Sequence, residues 1–288
     1  MSEAVSQMLK RYSCVTQQDY KNALKEIIQE LALLGLWRSK FFEKAAFYGG
    51  TSLRILFGLN RFSEDLDFSL LQPEKSFDIQ AYQTAIETEL AQFGFNVTMT
   101  PKNKNFDSAI VSAFLKANTI EHLIKIDVPE AEQSRCHYDE QLKIKLEVDI
   151  NPPPKFETTV NYLLQPIPYS VKTFSEPDLF AGKLHALLCR SWKTRVKGRD
   201  WYDFIWFIGR QTPVHLSHLE ERMRQSGHYE DTHPLKGDTL KEMIHQKIDK
   251  LDMEKAKEDI FAFISDRSEV DIWSDNFFHA ITEKLLFK

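Results

Sequence analysis

The sequence predicts an α+β fold, with a sheet-containing N-terminal half and a mainly helical C-terminal half. Three observations predict it. Leu142, Ile144, Leu146, Val148 and Ile150 alternate with Lys143, Lys145, Glu147 and Asp149, the period of a half-buried strand. Asp65-Leu66-Asp67-Phe68-Ser69 alternates in the same way. After about residue 172 the apolar spacing turns helical, opened by Ser175-Glu176-Pro177-Asp178, which combines a capping residue, an early proline and acids in the first turn.

Thr16-Gln17-Gln18-Asp19 has the spacing of a capping box, and Leu24, Ile27, Ile28, Leu31 and Leu34 follow at helical spacing, with Gly35 as the residue that ends the helix. Ala45–Tyr48 is short and apolar, and Gly49-Gly50 breaks it. A helix is expected over Thr51–Leu59, directly after the glycines, and another over Phe77–Phe93. Asn96–Met99, Ser108–Phe114 and His122–Asp127 read as further strands. Pro152-Pro153-Pro154 closes the Leu142–Ile150 strand, because proline cannot donate to a ladder. Phe180, Leu184, Leu187 and Leu188 supply the first apolar stripe of the helical half. Helices are then expected over Arg199–Ile208, Asp238–Ile248, Met253–Ile264 and Ile272–Leu286, with polar Ser217–Gly237 the loosest stretch.

Composition narrows the function classes. A chain of 288 residues with 42% hydrophobic and 27% charged residues is an ordinary globular protein of one large or two modest domains. A formal net charge of −5 argues against a general nucleic-acid coat, so any polynucleotide contact must use a local basic patch. Cys14, Cys136 and Cys189 are far apart and form neither a disulfide framework nor a zinc pattern, which fits a reducing compartment. With no apolar leader and no apolar run of about 18 residues, a cytoplasmic protein without a membrane partner is expected.

The chemistry concentrates in Gly49-Gly50-Thr51-Ser52-Leu53-Arg54, followed by Arg61-Phe62-Ser63-Glu64-Asp65-Leu66-Asp67-Phe68. Two glycines before a helix let the backbone approach a bound anion, and the helix N-terminus offers N–H groups and a favourable dipole to phosphate. Alternation puts Asp65 and Asp67 on one strand face, where a hard divalent ion relieves their repulsion while keeping positions for water and substrate phosphates. A third carboxylate is needed. Glu147 and Asp149 share a face of a strand that could lie beside the first, and both stay open for that role. A two-metal arrangement would activate an attacking hydroxyl and stabilise leaving pyrophosphate.

Gly-Gly, a spacer and Asp-x-Asp resemble the signature of the polymerase-β-like nucleotidyltransferases. The fuller Gly-Gly-Thr-x-Leu-Arg and Arg-x-Ser-x-Asp-Leu-Asp-Phe resemble the AbiEii/AbiGii toxin family, as do Lys183-Leu184-His185-Ala186 and Arg199-Asp200-Trp201-Tyr202-Asp203. The matched segments run from about residue 45 to residue 208. The resemblance implies a mixed β-sheet flanked by helices over residues 1–171. It also implies a helical domain over residues 172–288 that contributes Lys183 and Asp200 to the cleft. It implies Mg²⁺ or Mn²⁺ on Asp65, Asp67 and a third carboxylate, most naturally Glu147, and a nucleoside triphosphate held by Gly49, Gly50, Thr51, Arg54, Ser63, Lys183, Arg190 and Asp203. The implied reaction moves a nucleoside monophosphate to a hydroxyl, with RNA, notably a tRNA 3′ end, as acceptor. The implied role is a toxin or phage-defence protein with a cognate antitoxin. Nucleotidylation of a small molecule or protein, and a catalytically silent nucleotide-binding partner protein, are the alternatives.

Lys183 and Arg190 share a helix face, as do Asp200 and Asp203, so a Lys–Asp pair joining two helices is also compatible with the spacing. Arg190, Lys193, Arg195, Lys197 and Arg199 interleave with Trp192 and Trp201. This is either a phosphate-and-stacking surface or a solvated loop with both tryptophans in the core. His137 and His185 read as structural, and His215 and His218, three apart, lack a carboxylate or thiol pattern that would make them a metal site.

Overall fold

The computed structural model describes residues 3–102, 108–126, 128–134, 136–137, 139–190 and 196–288. The chain divides into two compact units. The first comprises Met1–Gly58, Ser63–Pro152 and Thr159–Thr173; the second comprises Leu59–Phe62, Pro153–Thr158 and Phe174–Lys288.

The first unit contains, in chain order, α1 (Glu3–Leu9), α2 (Gln17–Arg38), β1 (Ala45–Tyr48), α3 (Gly49–Phe57), β2 (Leu66–Leu70), α4 (Gln83–Gln92), β3 (Thr98–Pro101), β4 (Ile110–Asn118), α5 (Thr119–Lys125), α6 (Glu130–Gln133), β5 (Gln141–Asp149), β6 (Thr158–Leu163) and β7 (Tyr169–Phe174). The strands form one seven-stranded mixed sheet in the order β3-β4-β5-β2-β1-β7-β6. β2 runs parallel to β5 and antiparallel to β1, while β1 runs parallel to β7.

The alternation seen in the sequence sorts the strands' two faces. Leu66, Phe68, Leu146 and Val148 are fully buried on one face, against Leu24, Ile27, Ile28 and Leu31 of α2 in the same core cluster. Phe68 meets Phe41 edge-on with centroids 4.9 Å apart and Phe47 at 5.1 Å. Each such side chain contributes about 1.5–3 kcal/mol on burial, enough to fix the register of β2 and β5. The other face therefore carries Asp67, Glu147 and Asp149.

The capping box of α2 is present: Thr16 accepts from Asp19 N, and the Asp19 side chain accepts from Thr16 N. Gly35 does not end this helix, which continues to Arg38. Its role is close approach, because a Cβ there would stand 3.0 Å from Ile86 Cα and 3.1 Å from the Ala85 carbonyl oxygen of the α4 segment. His122–Asp127 is not a strand. Asn118 caps α5 by accepting from Glu121 N, and the segment winds so that Leu123 and Ile126 are buried at helical spacing; Asp127 lies outside the described residues. β6 and β7, after the proline run, were not read from the sequence.

The second unit contains α7 (Glu176–Cys189), α8 (Gly198–Gly209), α9 (Leu216–Gln225), α10 (Gly237–Ile248), α11 (Met253–Ile260) and α12 (Asp275–Thr282). Its core is aromatic: Phe180 stacks on Phe207 at 4.5 Å, and Trp201 meets Phe278 edge-on at 4.9 Å. The Ser217–Gly237 stretch is not wholly loose, since α9 buries Leu219 and Met223 at i, i+4 spacing. The three cysteines are free. Among the described residues no helix is long and apolar enough to cross a membrane.

Gly35→Ala sets two effects against each other. Alanine gains about 1 kcal/mol of helix propensity, whereas the added methyl meets backbone atoms that cannot yield, at about 1–3 kcal/mol. Urea unfolding is expected to show a net loss of stability in this variant; a gain would show that α2 and α4 can separate freely.

Candidate active site

The site grows from four adjacent strands in the first unit. In register, Tyr48 of β1 stands beside Asp67 of β2, Asp67 beside Glu147 of β5, and Glu147 beside Ser112 of β4. Asp67 and Glu147 are thus immediate neighbours on one face. Asp149 is displaced by one pleat to stand beside Ser69, and its Oδ1 accepts from Asn151 N at 2.9 Å. Asp65 is exposed and precedes β2. Glu147 Oε1 accepts from Ser112 Oγ at 3.1 Å and pairs with Lys145 Nζ at 2.7 Å.

Gly49 and Gly50 are the first two residues of α3, so the helix begins earlier than the sequence suggested. Gly49 has φ +82°, a left-handed conformation that favours glycine. A Cβ there would collide with Asp67 Oδ2 and lie 3.0 Å from Asp67 Cβ, so the Asp67 side chain rests against bare backbone at the start of α3. The N-cap of α3, Tyr48, makes no side-chain capping bond to the first turn.

The loop that delivers Asp65 and Asp67 is pinned from behind. Thr51 Oγ1 donates to the Asp65 carbonyl and stands 2.9 Å from Ser63 Oγ. Gln29, buried in α2, donates through Nε2 to the carbonyls of Ser63 at 3.2 Å and Glu64 at 3.0 Å. Lys25 reaches Glu64 at 2.9 Å. Arg54 Nε pairs with Glu26 Oε2 at 2.9 Å. The sequence reading missed Gln29; the available signal was a polar residue inside the apolar stretch of a capped helix.

The donor set suits a hard cation in kind: neighbouring carboxylates from two strands, with Asp67 against the glycine start of α3. Among the described residues, no group of three or more His, Cys, Asp or Glu side chains is gathered closely enough to hold an ion. The sheet therefore supplies a pair of carboxylates and not a finished cage. That matches magnesium, which takes one or two carboxylates and completes its shell with water and substrate phosphates.

The second motif assembles within the second unit. Arg61, only 2% exposed, donates from Nε to Asp203 Oδ1 at 2.6 Å and from Nη2 to Asp203 Oδ2 at 2.7 Å. Lys183 Nζ reaches Asp203 Oδ2 at 2.7 Å, so the Lys–Asp pair joining α7 and α8 is present. Burial opposes charge on Asp203, but Arg61 and Lys183 outweigh it and hold its carboxyl below the usual carboxylate range. Burial dominates at Asp200 and raises its pKa, although Lys183 and Arg190 pull the other way. Arg190 is exposed at the end of α7. The partnership of Arg61 with Asp203 spans 142 positions and had no local signal.

Trp201 is a core residue and not a stacking platform, 4% exposed against Phe204 and Phe278. Arg199 lies over the Phe263 ring at 4.1 Å. Trp192, Lys193 and Arg195 lie outside the described residues. His215 does have a carboxylate, since its Nδ1 is 2.6 Å from Asp178 Oδ1. His218 Nδ1 is 2.9 Å from the Pro154 carbonyl, and its buried Nε2 has no partner among the described residues.

A family model for the nucleotidyl transferase AbiEii toxin of type IV toxin–antitoxin systems matches residues 31–281. The chain belongs to the AbiEii toxin family. That match covers both the carboxylate row of the first unit and the Arg61–Asp203–Lys183 cluster of the second. The fold of this AbiEii chain is similar to the crystal structure of JHP933 from Helicobacter pylori, at 18% identity over 90% of this chain and 89% of that one, with a TM-score of 0.50. A second H. pylori structure, assigned as a nucleotidyltransferase, aligns at 18% identity over 90% of this chain and 92% of that one, with a TM-score of 0.47. No curated protein matches the sequence.

Replacing Asp203 by Asn leaves Arg61 and Lys183 without their counter-charge. Chemical denaturation is expected to register a loss of about 3–5 kcal/mol; less than about 1 kcal/mol would show that water reaches the guanidinium. Burial, aided by Arg222, lowers the His218 pKa from 6.5 to about 4. A lowered folded pKa means the unfolded chain binds the proton first as pH falls. The stability tied to neutral His218 is therefore full above pH 6.5 and lost as pH drops toward about 4. Melting temperature against pH is expected to fall less steeply over this window in His218→Gln; identical slopes would contradict the assignment.

Proposed function

We propose that the chain transfers a nucleoside monophosphate from a nucleoside triphosphate to a hydroxyl of RNA, releasing pyrophosphate, with the Asp67–Glu147 face as the catalytic centre. The observation that carries this reading is the register of β2 and β5, which sets these two carboxylates side by side with the bare start of α3 against Asp67. Magnesium or manganese held by Asp67 and Glu147, with Asp65 as the further ligand, would neutralise triphosphate charge and make the acceptor hydroxyl a better nucleophile. The register favours Glu147 over Asp149, whose Oδ1 already accepts from a backbone N–H.

The other roles are carried by this chain's own groups. The backbone of Gly49, Gly50 and Thr51 takes the triphosphate at the α3 N-terminus. Thr51, Ser63 and Gln29 fix the loop that presents Asp65 and Asp67. Lys145 holds Glu147 in the absence of a cation and must release it when one binds. The residues that the family resemblance assigns to nucleotide, Lys183, Asp200 and Arg190, lie in the second unit, where Asp203, paired with Arg61, holds Lys183. Family membership supports a cognate antitoxin partner and a growth-inhibiting or phage-defence role.

A second reading, nucleotidylation of a protein or small molecule at the same centre, draws support from the net charge of −5, which is unfavourable to a polyanionic acceptor. Incubation of each α-labelled triphosphate with total RNA and the protein's own mixture in MgCl₂ separates the two by where label migrates. Label is expected on RNA, abolished by EDTA, and reduced at least about 100-fold in Asp67→Asn and Glu147→Gln. The Glu147 variant loses a half-exposed ion pair worth no more than about 1 kcal/mol, so it is expected to stay folded. Label on protein moves the assignment to the second reading. Equal transfer by the parent and the Asp67 variant removes the centre altogether.

A further inference from the structure

Outside the residues assigned above, the second unit carries a histidine pair with an unusual arrangement. His245 stands in the last turn of α10 and His279 in the last turn of α12. Their Nδ1 atoms face each other at 2.6 Å, and the rings lie end to end and nearly coplanar, with centroids 4.8 Å apart and planes 25° apart. Behind each ring stands a carboxylate from the C-cap of the opposite helix. His245 Nε2 is 2.9 Å from Glu283 Oε1, and His279 Nε2 is 3.1 Å from Asp249 Oδ1. Lys241 Nζ holds the other Glu283 oxygen at 2.8 Å.

The hydrogen inventory follows from this geometry. Carboxylate oxygens only accept, so both Nε2 atoms carry hydrogens. The two Nδ1 atoms then have two lone-pair positions directed at one point, and at this separation a positive species must lie between them, either a proton or a metal ion. Imidazoles that bind metals take this form: one nitrogen on the ion, the other N–H donated to a carboxylate that fixes the tautomer. The charges around the pair, two carboxylates and one ammonium, also favour a cation.

We propose that His245 and His279 bind one divalent transition ion, such as zinc or copper(II), through both Nδ1 atoms, clamping α10 to α12. Metal–imidazole bonds of about 2.0–2.1 Å at a tetrahedral angle require nitrogens about 3.3 Å apart, so the rings must part by about 0.7 Å. Their side chains are 28% and 34% exposed, which leaves room for that movement and for water to complete the shell. Nitrogen donors select this class of ion over magnesium, so the site is chemically separate from the carboxylate pair of the proposed nucleotidyl centre.

The test uses the full chain without nucleotide, dialysed against ZnCl₂ in excess MgCl₂, with bound zinc counted and melting temperature recorded. His245→Gln and His279→Gln are each expected to bind one zinc fewer than the parent and to lose its zinc-dependent rise in melting temperature. His233→Gln, an exposed histidine, is expected to match the parent. Asp249→Asn removes no ligand and is expected to weaken zinc about 10–100-fold; it serves as the test if a histidine variant does not fold. With copper(II), the parent's electron paramagnetic resonance spectrum is expected to show coupling to two nitrogens. Equal zinc and equal melting shifts in the parent and the variants would overturn the site, as would copper coupled to no imidazole nitrogen.

Discussion

Asp67 and Glu147 stand next to each other because β2 and β5 run parallel in a register that their buried partners, Leu66, Phe68, Leu146 and Val148, enforce. A slip of either strand by one residue would turn its carboxylate into the core and its apolar residues outward, so the hydrophobic face and the acidic face are specified together. Neighbouring carboxylates repel, and their placement is stabilised by whatever cation they share. In the structure Lys145 supplies part of that charge to Glu147; a divalent ion with phosphate ligands would supply more. Gly49 completes the arrangement, since any larger residue would push Asp67 from its place against α3.

A second constraint operates in the helical unit. Asp203 is wholly buried, which is costly for a carboxylate, yet it remains charged because a bidentate guanidinium and an ammonium meet it there. The short segment between α3 and β2 belongs to this unit, so Arg61, only six positions before Asp67, is part of the Asp203 cluster and not of the carboxylate row. One sequence motif thus serves two structural purposes: its arginine satisfies a buried acid, and its aspartates line a strand face.

The strands with strict alternation were legible in the sequence, and so was the solvent-side face of Asp67, because a period of two is a local property; Asp65, expected on the same strand, precedes it. The helix starts at Thr16 and Ser175 were legible for the same reason. His122–Asp127 was not, since six residues of mixed polarity fit either period and the deciding Asn118 cap lay upstream. Gly35 resembled a helix end because closeness to α4 leaves no trace in its own neighbourhood. The choice between Glu147 and Asp149 depended on strand register about 80 positions away, and the pairing of Arg61 with Asp203 on tertiary folding. Neither is encoded in spacing. The His245–His279 pair was likewise invisible until the helices that carry it were placed.

The proposed centre requires Asp67 and Glu147 to hold one hard divalent ion jointly with a triphosphate. Crystals grown with MnCl₂ and a non-hydrolysable nucleoside triphosphate test this most directly, through the anomalous signal of manganese. A peak is expected within bonding distance of both carboxylates, with phosphate density at the start of α3. A peak bound elsewhere, with nucleotide present and Lys145 still on Glu147, would contradict it.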